Sequence, residues 1–487
     1  MSIITNQNKE NILIFSLLIA FLAINIYTSS RSPTVWNDEI SYADPAVNFV
    51  TNGDFTSTAW GYQGSDELWA GNVPLHQLIL VGWLKIFGIS PTSVRSINYI
   101  FAALGVFLLW VLMRNKDLSS PSLRITTAVL LLCGQGITFS YRSGRPDMIG
   151  FLLICAAAYV MLYRGKTRHG LLAMVGALIP WAGLQFIPYV VLLCGCIFFW
   201  NRKLFLEAAL SITGGGMTGT VGLVVFYKSN GVWDNFIQSV FPHTAANQSN
   251  AFPGLHLYAE DLSYLTILLS AILIFLVYAI NYKKASKLHP IFKYCMLVGI
   301  LTPPVLYTLG KYPQYYTWMA YLPLVVGVCV QASFIRWNRW ALWIGIGIIG
   351  VASIWLPARM GVTLLQWDAR SYEPVENLAL RTISEKDTVY ASYPAYYGVK
   401  KNSAFTYLPN SLSDRRPPES GKVDTQSINK VMIDPRHSEN FFSELGGEWR
   451  QISQIGEDAE RKEVFGIKLA EPYRLATYVR LSSKKLH

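Results

Sequence analysis

The 487-residue sequence is 52% hydrophobic and only 15% charged, whereas about 25% of residues are charged in an average soluble domain. This balance indicates a protein solvated by lipid and excludes an ordinary soluble enzyme. The formal net charge of +11 comes from cations spread over short loops, which need no partner beyond anionic membrane lipid, so a nucleic-acid-binding function is excluded as well.

Apolar stretches of about twenty residues, the length that crosses a hydrocarbon core of about 30 Å, recur along the chain. They predict an α-helical polytopic membrane protein with about eleven transmembrane helices. The predicted spans are 11–27, 95–113, 124–140, 148–163, 170–185, 186–200, 204–227, 262–282, 292–310, 314–333 and 339–358. Spans 170–185 and 186–200 are divided at Pro180 and Pro188, because one helix over both would be too long for the bilayer.

The orientation of the spans follows from the first of them and from the loop cations. No small-residue cleavage pattern follows span 11–27, which is therefore interpreted as an uncleaved anchor. With a cytoplasmic N-terminus, most loop Lys and Arg fall inside, as the positive-inside rule requires. The sequence thus predicts a multi-pass cell inner membrane protein whose C-terminal part is extracytoplasmic.

Two domains are predicted. Residues 1–362 form the transmembrane domain and include a long first outer loop, 28–94. Residues 363–487 are richer in charge and contain strand-like runs at 388–392 and 430–433. They are predicted to fold as a small soluble α/β domain on the outer side.

The first outer loop opens with residues 36–42 (WNDEISY), in which Asp38 and Glu39 are adjacent. Two acids just past a membrane span are costly near hydrocarbon unless a partner or a reaction uses them. A general base requires such a carboxylate, and Tyr42 could line the substrate site. The alternative interpretation is a solvated loop acid or a helix start.

The apolar segment 74–88 contains His76 and Lys85 and is too short for a span. It predicts a helix lying in or dipping into the membrane interface. His76 could line the substrate site, although no metal-ligand spacing surrounds it and a structural role is the simpler interpretation.

Residues 141–148 (YRSGRPDM) lie between predicted spans and bring Arg142 and Arg145 close to Asp147. A guanidinium group donates two parallel hydrogen bonds to phosphate oxygens, so this turn is suited to a lipid phosphate. Pro146 followed by Asp147 is also typical of an ordinary helix start.

Residues 311–316 (KYPQYY) join two late spans on the same predicted face. Lys311 could neutralise an anionic headgroup, with Tyr315 and Tyr316 at headgroup depth and lining the substrate site. The alternative is an interfacial aromatic belt with one lysine reaching to water.

The six cysteines fall within predicted spans, so no disulfide framework or zinc site is predicted. No cofactor is indicated by the sequence. A requirement for a divalent metal stays open.

The order and common sidedness of these motifs resemble the GT-C class of membrane glycosyltransferases, and within it the protein O-mannosyltransferase and ArnT-like branch. The resemblance covers about residues 1–360. It implies a glycosyltransferase that uses a polyprenyl-phosphate sugar. By the resemblance, the family's first-loop acid falls on Asp38, with Glu39 beside it, and the acid of its second outer loop on Asp147. These three acids are the expected catalytic residues.

The resemblance also implies that the family's phosphate-binding cations fall on Arg145 or Arg142 and on Lys311. One motif departs from the family, because residues 73–76 (VPLH) have a single proline with the histidine after it. That departure leaves His76 without a role carried over from the family.

The expected reaction is one inverting displacement in which Asp38 takes a proton from an acceptor on the outer face. The acceptor class is open among a lipid, a glycan and a protein. A flippase of lipid-linked sugars is one alternative, but it should carry ionisable groups along the middle of its spans. A polysaccharide ligase or polymerase is the other, and it would be expected to use a large later outer loop.

Overall fold

The computed structural model describes residues 2–163, 165–199, 201–246, 261–280, 288–310, 313–335, 339–412, 423–456, 463–464, 467–468 and 473–481. The described chain is mainly helical, with a small sheet near the C-terminus. It divides into two compact units. The first comprises Met1–Ile26, Asn72–His76 and Ile97–Arg359, and the second comprises Tyr27–Gly71, Gln77–Ser96 and Met360–His487.

The helices up to residue 199 include the start of the membrane region and the predicted interfacial segment. They are α1 (Ser2–Thr28), α2 (Asn37–Asn52), α3 (Pro74–Phe87), α4 (Pro91–Asn115), α5 (Pro121–Cys133), α6 (Gln135–Arg142), α7 (Asp147–Leu162), α8 (Arg168–Ala182) and α9 (Phe186–Phe198). The predicted segment 74–88 is thus helical as α3.

The later helices complete the apolar region and continue into the charged tail. They are α10 (Arg202–Ser229), α11 (Trp233–Ala246), α12 (Leu262–Ile280), α13 (Pro290–Thr308), α14 (Trp318–Ala332), α15 (Arg339–Ala352), α16 (Trp355–Leu365), α17 (Glu373–Thr382), α18 (Tyr396–Asn402) and α19 (Ser438–Leu445).

Five of the described helices are long and apolar enough to cross a membrane. They lie at Gln7–Thr28, Pro91–Asn115, Arg202–Ser229, Leu262–Ala279 and Pro290–Thr308. Two bent helix pairs, α5 with α6 and α15 with α16, bring the number to seven if each pair is one span. The remaining four predicted spans coincide with helices of 13 to 16 residues. The chain is multi-pass, and the predicted number of eleven stays a prediction.

The break between α8 and α9 was predicted at two prolines but lies at a glycine. Pro180 is inside α8, and Pro188 is in the first turn of α9, where proline is tolerated. Gly183 ends α8 with φ +149°, a backbone conformation that costs glycine far less than other residues. The division of the long apolar stretch therefore holds, with a different residue producing it.

The tail forms the predicted α/β domain around a five-stranded mixed sheet of order β2-β1-β3-β7-β4. Its strands are β1 (Thr388–Ala391), β2 (Phe405–Tyr407), β3 (Lys430–Ile433), β4 (Trp449–Ile455) and β7 (Leu475–Arg480). A separate antiparallel pair consists of β5 (Glu463–Val464) and β6 (Ile467–Lys468). β1 pairs in parallel with β2 and β3, while β7 runs antiparallel to β3 and β4. The core side chains include Val431, Ile433, Ala476 and Tyr478.

Candidate active site

Asp38 and Glu39 lie in the first turn of α2, in the second unit. Negative side chains are favourable there because the N-terminal end of a helix carries a partial positive charge. The alternative that these acids lie at the start of a helix is therefore correct. The helix start orients the two acids differently, since Glu39 is fully buried while Asp38 is only half-buried.

Both carboxylate oxygens of Glu39 accept hydrogen bonds. Arg95 donates from Nε to Oε1 at 3.0 Å and from Nη2 to Oε2 at 2.5 Å, and both side chains are 0% exposed. The Tyr397 hydroxyl also donates to Oε1, at 3.0 Å. Burial raises the pKa of the Glu39 carboxyl, and Arg95 and Tyr397 oppose that rise.

Asp44, five residues after Glu39 in α2, also accepts hydrogen bonds at both carboxylate oxygens. Its Oδ2 accepts hydrogen bonds from the Ser57 hydroxyl at 2.9 Å and from the Thr58 backbone N–H at 2.8 Å. The Tyr396 hydroxyl donates to Oδ1 at 2.6 Å. Asp44 therefore joins α2, the loop after it and the tail helix α18.

Asp38 has aromatic surroundings. Tyr42 follows it by one helical turn on the same face of α2, and the Tyr42 ring is 6.2 Å from the Trp60 ring. In the tail, Tyr393 is close enough that Asp38 and Asp44 both raise the pKa of its hydroxyl, after the larger effect of burial. Asp38 thus has one tyrosine a helical turn away in α2 and a second, Tyr393, in the tail close enough to interact with its charge.

The predicted phosphate-binding turn lies in the first unit and is buried. Arg145 donates from Nε to Asp147 Oδ2 at 2.9 Å, and these side chains are 2% and 1% exposed. Asp147 is the first residue of α7. Arg142 donates from Nη1 to Asn25 Oδ1 at 2.5 Å. The structure thus brings Arg142, Arg145 and Asp147 together around one turn and gives each a protein partner.

Two arginines flank a pair of stacked rings in the same unit. The guanidinium carbon of Arg145 is 3.5 Å from the centroid of the Tyr315 ring, and Tyr315 stacks on Phe139 at 6.1 Å. Arg359 lies over Phe139 at 5.7 Å. Sequence reasoning missed Arg359, whose only signal was a cation at the end of the last apolar stretch.

The other residues of the 311–316 motif are placed in part. Tyr316 is buried at an edge-to-face distance of 4.8 Å from Tyr315. Lys311 lies outside the described residues, so its predicted contact with a lipid phosphate stays a prediction.

A further buried acid, Asp261, connects three segments of the first unit. Its Oδ2 accepts from the Gly136 backbone N–H at 2.9 Å and from the Thr317 hydroxyl at 2.8 Å. Its Oδ1 accepts from the first N–H groups of α12. Sequence reasoning missed this role, although an aspartate directly before an apolar helix is a recognisable N-cap signal.

His76 is buried in the first unit at the start of α3, next to Asn98. Among the described residues, neither side chain has a hydrogen-bond partner of ordinary geometry. Burial lowers the pKa of His76 to about 4, against an opposing effect of Asn98. Burial therefore favours the neutral imidazole. The predicted substrate-lining role of His76 stays a prediction.

Within the part of the chain that the structure describes, no three His, Cys, Asp or Glu side chains are grouped to hold a metal ion. The predicted residues fall in both units. Asp38, Glu39 and Tyr42 belong to the second, while His76, Arg142, Arg145, Asp147, Tyr315 and Tyr316 belong to the first. The predicted convergence of Asp38, Arg145 and Lys311 stays a prediction.

No family model matches the sequence, and no curated protein matches it. Among solved structures, the chain is similar to ArnT from Cupriavidus metallidurans bound to undecaprenyl phosphate, with a TM-score of 0.62 at 12% identity over 96% of this chain and 98% of that chain. ArnT from Cupriavidus metallidurans in the apo state gives 0.49 at 11% identity over the same shares. The arabinofuranosyltransferase AftD from Mycobacteria gives 0.48 at 11% identity over 96% of this chain and 40% of that chain.

The similarity to ArnT bound to undecaprenyl phosphate is strong enough to define a fold, and it extends over nearly the whole of both chains. It agrees with the resemblance seen in the sequence motifs. The chain has the GT-C fold of membrane glycosyltransferases.

Proposed function

We propose that this protein is a glycosyltransferase that moves a sugar from a polyprenyl-phosphate donor to an acceptor on the outer face of the membrane. A fold alone does not establish an activity, so the proposal depends on the acids of α2. Among these three acids, Glu39 and Asp44 are buried and accept hydrogen bonds at both carboxylate oxygens. Asp38 keeps part of its surface exposed. That difference carries the proposal that Asp38 is the general base.

The proposed reaction needs a base for the acceptor and countercharge for the leaving phosphate. The acceptor oxygen or nitrogen forms a bond to the anomeric carbon while the bond from that carbon to the lipid phosphate breaks. The electron pair leaves with the phosphate, which is a weak base and needs countercharge in place of a general acid. The acceptor's proton passes to Asp38, and one displacement inverts the anomeric centre.

Arg142, Arg145 and Lys311 are assigned to the donor phosphate. ArnT binds undecaprenyl phosphate, which supports a polyprenyl-phosphate donor for a chain of this fold. Asp147 is assigned to hold Arg145, because their ion pair and the Tyr315 ring fix the guanidinium group. Glu39 is assigned to hold α2 through Arg95.

The test is transfer of a labelled sugar from polyprenyl phosphate by the purified protein in lipid vesicles, with a mixed pool of glycan, lipid and peptide acceptors. Asp38→Asn keeps the shape of the side chain and removes the base. We expect transfer to fall by about 10² to 10⁴, the usual value of general-base catalysis, with donor binding retained.

Asp54→Asn is the matched control, because Asp54 is an exposed acid just after α2 in the same loop. It should transfer sugar at the wild-type rate. Equal transfer by Asp38→Asn and wild type would remove Asp38 as the base. Movement of the labelled lipid across the vesicle membrane without transfer would favour a flippase instead.

A further inference from the structure

A groove of about 650 Å³ lies between α8, α9 and α10 in the first unit. We call it the lateral groove. The α10 residues that line it recur every three or four positions, which places them on one face of the helix. They include Phe205, Ala209, Ile212, Gly216 and Thr220.

The two sides of the lateral groove are packed differently. Where α8 meets α10, a Cβ atom placed on Gly176 would lie 2.3 Å from the Ile212 carbonyl oxygen, so these backbones are in close contact. Where α9 forms the wall, a Cβ atom on Gly195 would meet nothing within 4 Å. The groove therefore has a tightly packed floor and room beside α9.

The lateral groove is open from the side and long enough for a hydrocarbon chain. Val191, Met217 and Val221 line it and are 65%, 67% and 62% exposed. From Phe205 to Val221 it follows α10 for about 24 Å at 1.5 Å per residue, and one leaflet contributes only about 15 Å of hydrocarbon. A chain from one leaflet can therefore enter sideways and lie along the groove.

The walls of the lateral groove suit an apolar occupant. The Thr220 hydroxyl donates to the Gly216 carbonyl oxygen at 2.8 Å, so it needs no hydrogen bond from a ligand. Val190 and Cys194 line both the groove and a second apolar cavity of about 160 Å³ behind it. A hydrocarbon chain would give these side chains additional dispersion contacts.

Two exposed cations lie at one end of the lateral groove. Arg202 and Lys203 are in the first turn of α10. The guanidinium carbon of Arg202 is 5.2 Å from the centroid of the Phe198 ring, and Phe198 packs edge to face on Phe205 at 5.3 Å. Because Phe205 lines the groove, these ring contacts place Arg202 at its end.

The charge at this end of the lateral groove is not neutralised by the protein. Glu207, one turn further along α10, is paired with Arg168 of α8. Within the part of the chain that the structure describes, neither Arg202 nor Lys203 forms an ion pair. An anionic lipid headgroup at the membrane surface would supply the missing negative charge.

From the lateral groove and the two cations at its end, we infer a binding site for one anionic phospholipid. An acyl chain lies in the groove, and the headgroup phosphate meets Arg202 and Lys203. The leaflet is the one in which α10 begins, which the sequence predicts to be cytoplasmic. The site is therefore separate from the proposed transfer site, whose donor phosphate is assigned to the outer face.

The headgroup is tested by native mass spectrometry of the full-length protein in detergent, with phosphatidylglycerol and phosphatidylcholine of identical chains. We expect wild type to retain one phosphatidylglycerol in preference to phosphatidylcholine. The double variant Arg202→Gln with Lys203→Gln should lower that preference about 10- to 30-fold, because each cation near a lipid headgroup contributes a factor of roughly five.

The charge control removes two exposed cations near the ends of other helices of the same unit. Lys116 follows α4 and Lys293 is in α13. The double variant Lys116→Gln with Lys293→Gln loses the same net charge and should keep the wild-type preference. An equal loss of preference in both double variants would mean that net charge alone attracts the lipid, which would overturn the site.

The chain is tested by filling the groove. Gly195→Phe should reduce the retention of both phospholipids about tenfold, and Gly195→Leu, which is smaller, should reduce it less. Gly347→Phe is the matched control, because a Cβ atom on Gly347 of α15 also meets nothing within 4 Å and Gly347 does not line the groove. The melting temperatures of these variants without added lipid show whether each is folded.

Three results would overturn the inference. They are equal retention of the two phospholipids by wild type, an unchanged preference in the Arg202 and Lys203 variant, and full lipid retention by folded Gly195→Phe. If Gly195→Phe lost polyprenyl phosphate and kept phosphatidylglycerol, the groove would serve the donor instead. Because none of these measurements uses sugar transfer, the lipid site and the role of Asp38 can fail independently.

Discussion

Asp38 and Glu39 are neighbours in the sequence, yet their carboxylates meet different surroundings. Glu39 forms a two-point ion pair with Arg95, and both groups are removed from solvent. Burial of two charges is favourable only when their geometry and remaining hydrogen bonds are good. Here Tyr397 supplies a further donor to the carboxylate, and Arg95 also donates to the backbone carbonyl of Pro33 at 2.8 Å.

Replacing Glu39 with Gln should destabilise the second unit strongly. Arg95 would stay buried without a carboxylate, and breaking one partner of a buried pair typically costs about 3–5 kcal/mol. Tyr397→Phe removes only one hydrogen bond and should cost about 1 kcal/mol. The free energy of unfolding, measured by chemical denaturation in detergent, should therefore fall more for Glu39→Gln than for Tyr397→Phe.

Asp38→Asn serves as the control in that series, since Asp38 is half-buried at the helix start. Its cost should stay near the roughly 0.3–1 kcal/mol typical of an acid near a helix N-terminus. A loss as large as that of Glu39→Gln would show that Asp38 is a structural acid. It would then be a poor candidate for the base.

The sequence alone identified these candidate acids but not the residues that they contact. The adjacency of Asp38 and Glu39 and their position after a span are local features, so they were visible as a candidate site. Their partners were not visible, because Arg95 is 56 residues away and Tyr397 is 358 residues away from Glu39. No pattern within α2 distinguishes the acid that holds the helix from the acid that remains accessible.

The helices α8 and α10 pack through glycines. A Cβ atom placed on Gly215 would lie 1.9 Å from the Ala173 carbonyl oxygen, and one on Gly219 would lie 2.0 Å from that of Ala177. Small residues at helix contacts let two backbones approach closely in a membrane, where association depends on packing. Hydropathy predicted both helices, but which of the glycines in α10 face α8 depends on the packing itself.

Gly215→Val should separate α8 from α10 or strain their contact. Overpacking of this kind typically costs about 1–3 kcal/mol and occasionally more. Gly214→Val is the matched control, since a Cβ atom at Gly214 meets nothing within 4 Å. The melting temperature in detergent should fall for Gly215→Val only. Equal melting temperatures for the two variants would contradict the close approach of these helices.

The second unit is assembled from distant parts of the chain. It joins the first loop, most of α3 and the charged tail. Hydrogen bonds from Tyr396 to Asp44 and from Tyr397 to Glu39 bridge about 350 residues of sequence. Apolar length predicted the helices because it is a local property, and strand-like runs predicted β1 and β3 for the same reason. Contacts between the loop and the tail cannot be predicted in this way, because they join residues that are far apart in the sequence.

Removal of residues 363–487 should abolish sugar transfer, although all of the predicted site residues remain in the shortened chain. Without α18, Asp44 and Glu39 lose their tyrosine partners, and the Ala59 carbonyl loses Asn410. Buried acids with fewer donors are costly, so we expect the loop 28–71 to become sensitive to protease. The measurement is limited proteolysis of the purified chain in detergent, followed by mass spectrometry of the first cuts.

A graded intermediate separates these hydrogen bonds from other effects of the tail. The double variant Tyr396→Phe with Tyr397→Phe keeps the tail and its sheet while removing both hydroxyl donors. We expect it to fold, to show cleavage of the loop intermediate between wild type and the truncated chain, and to retain part of the transfer activity. If the truncated chain transferred sugar at the wild-type rate with a protected loop, the tail would have no part in holding α2, and the surroundings of Asp38 would have to be maintained by the loop alone.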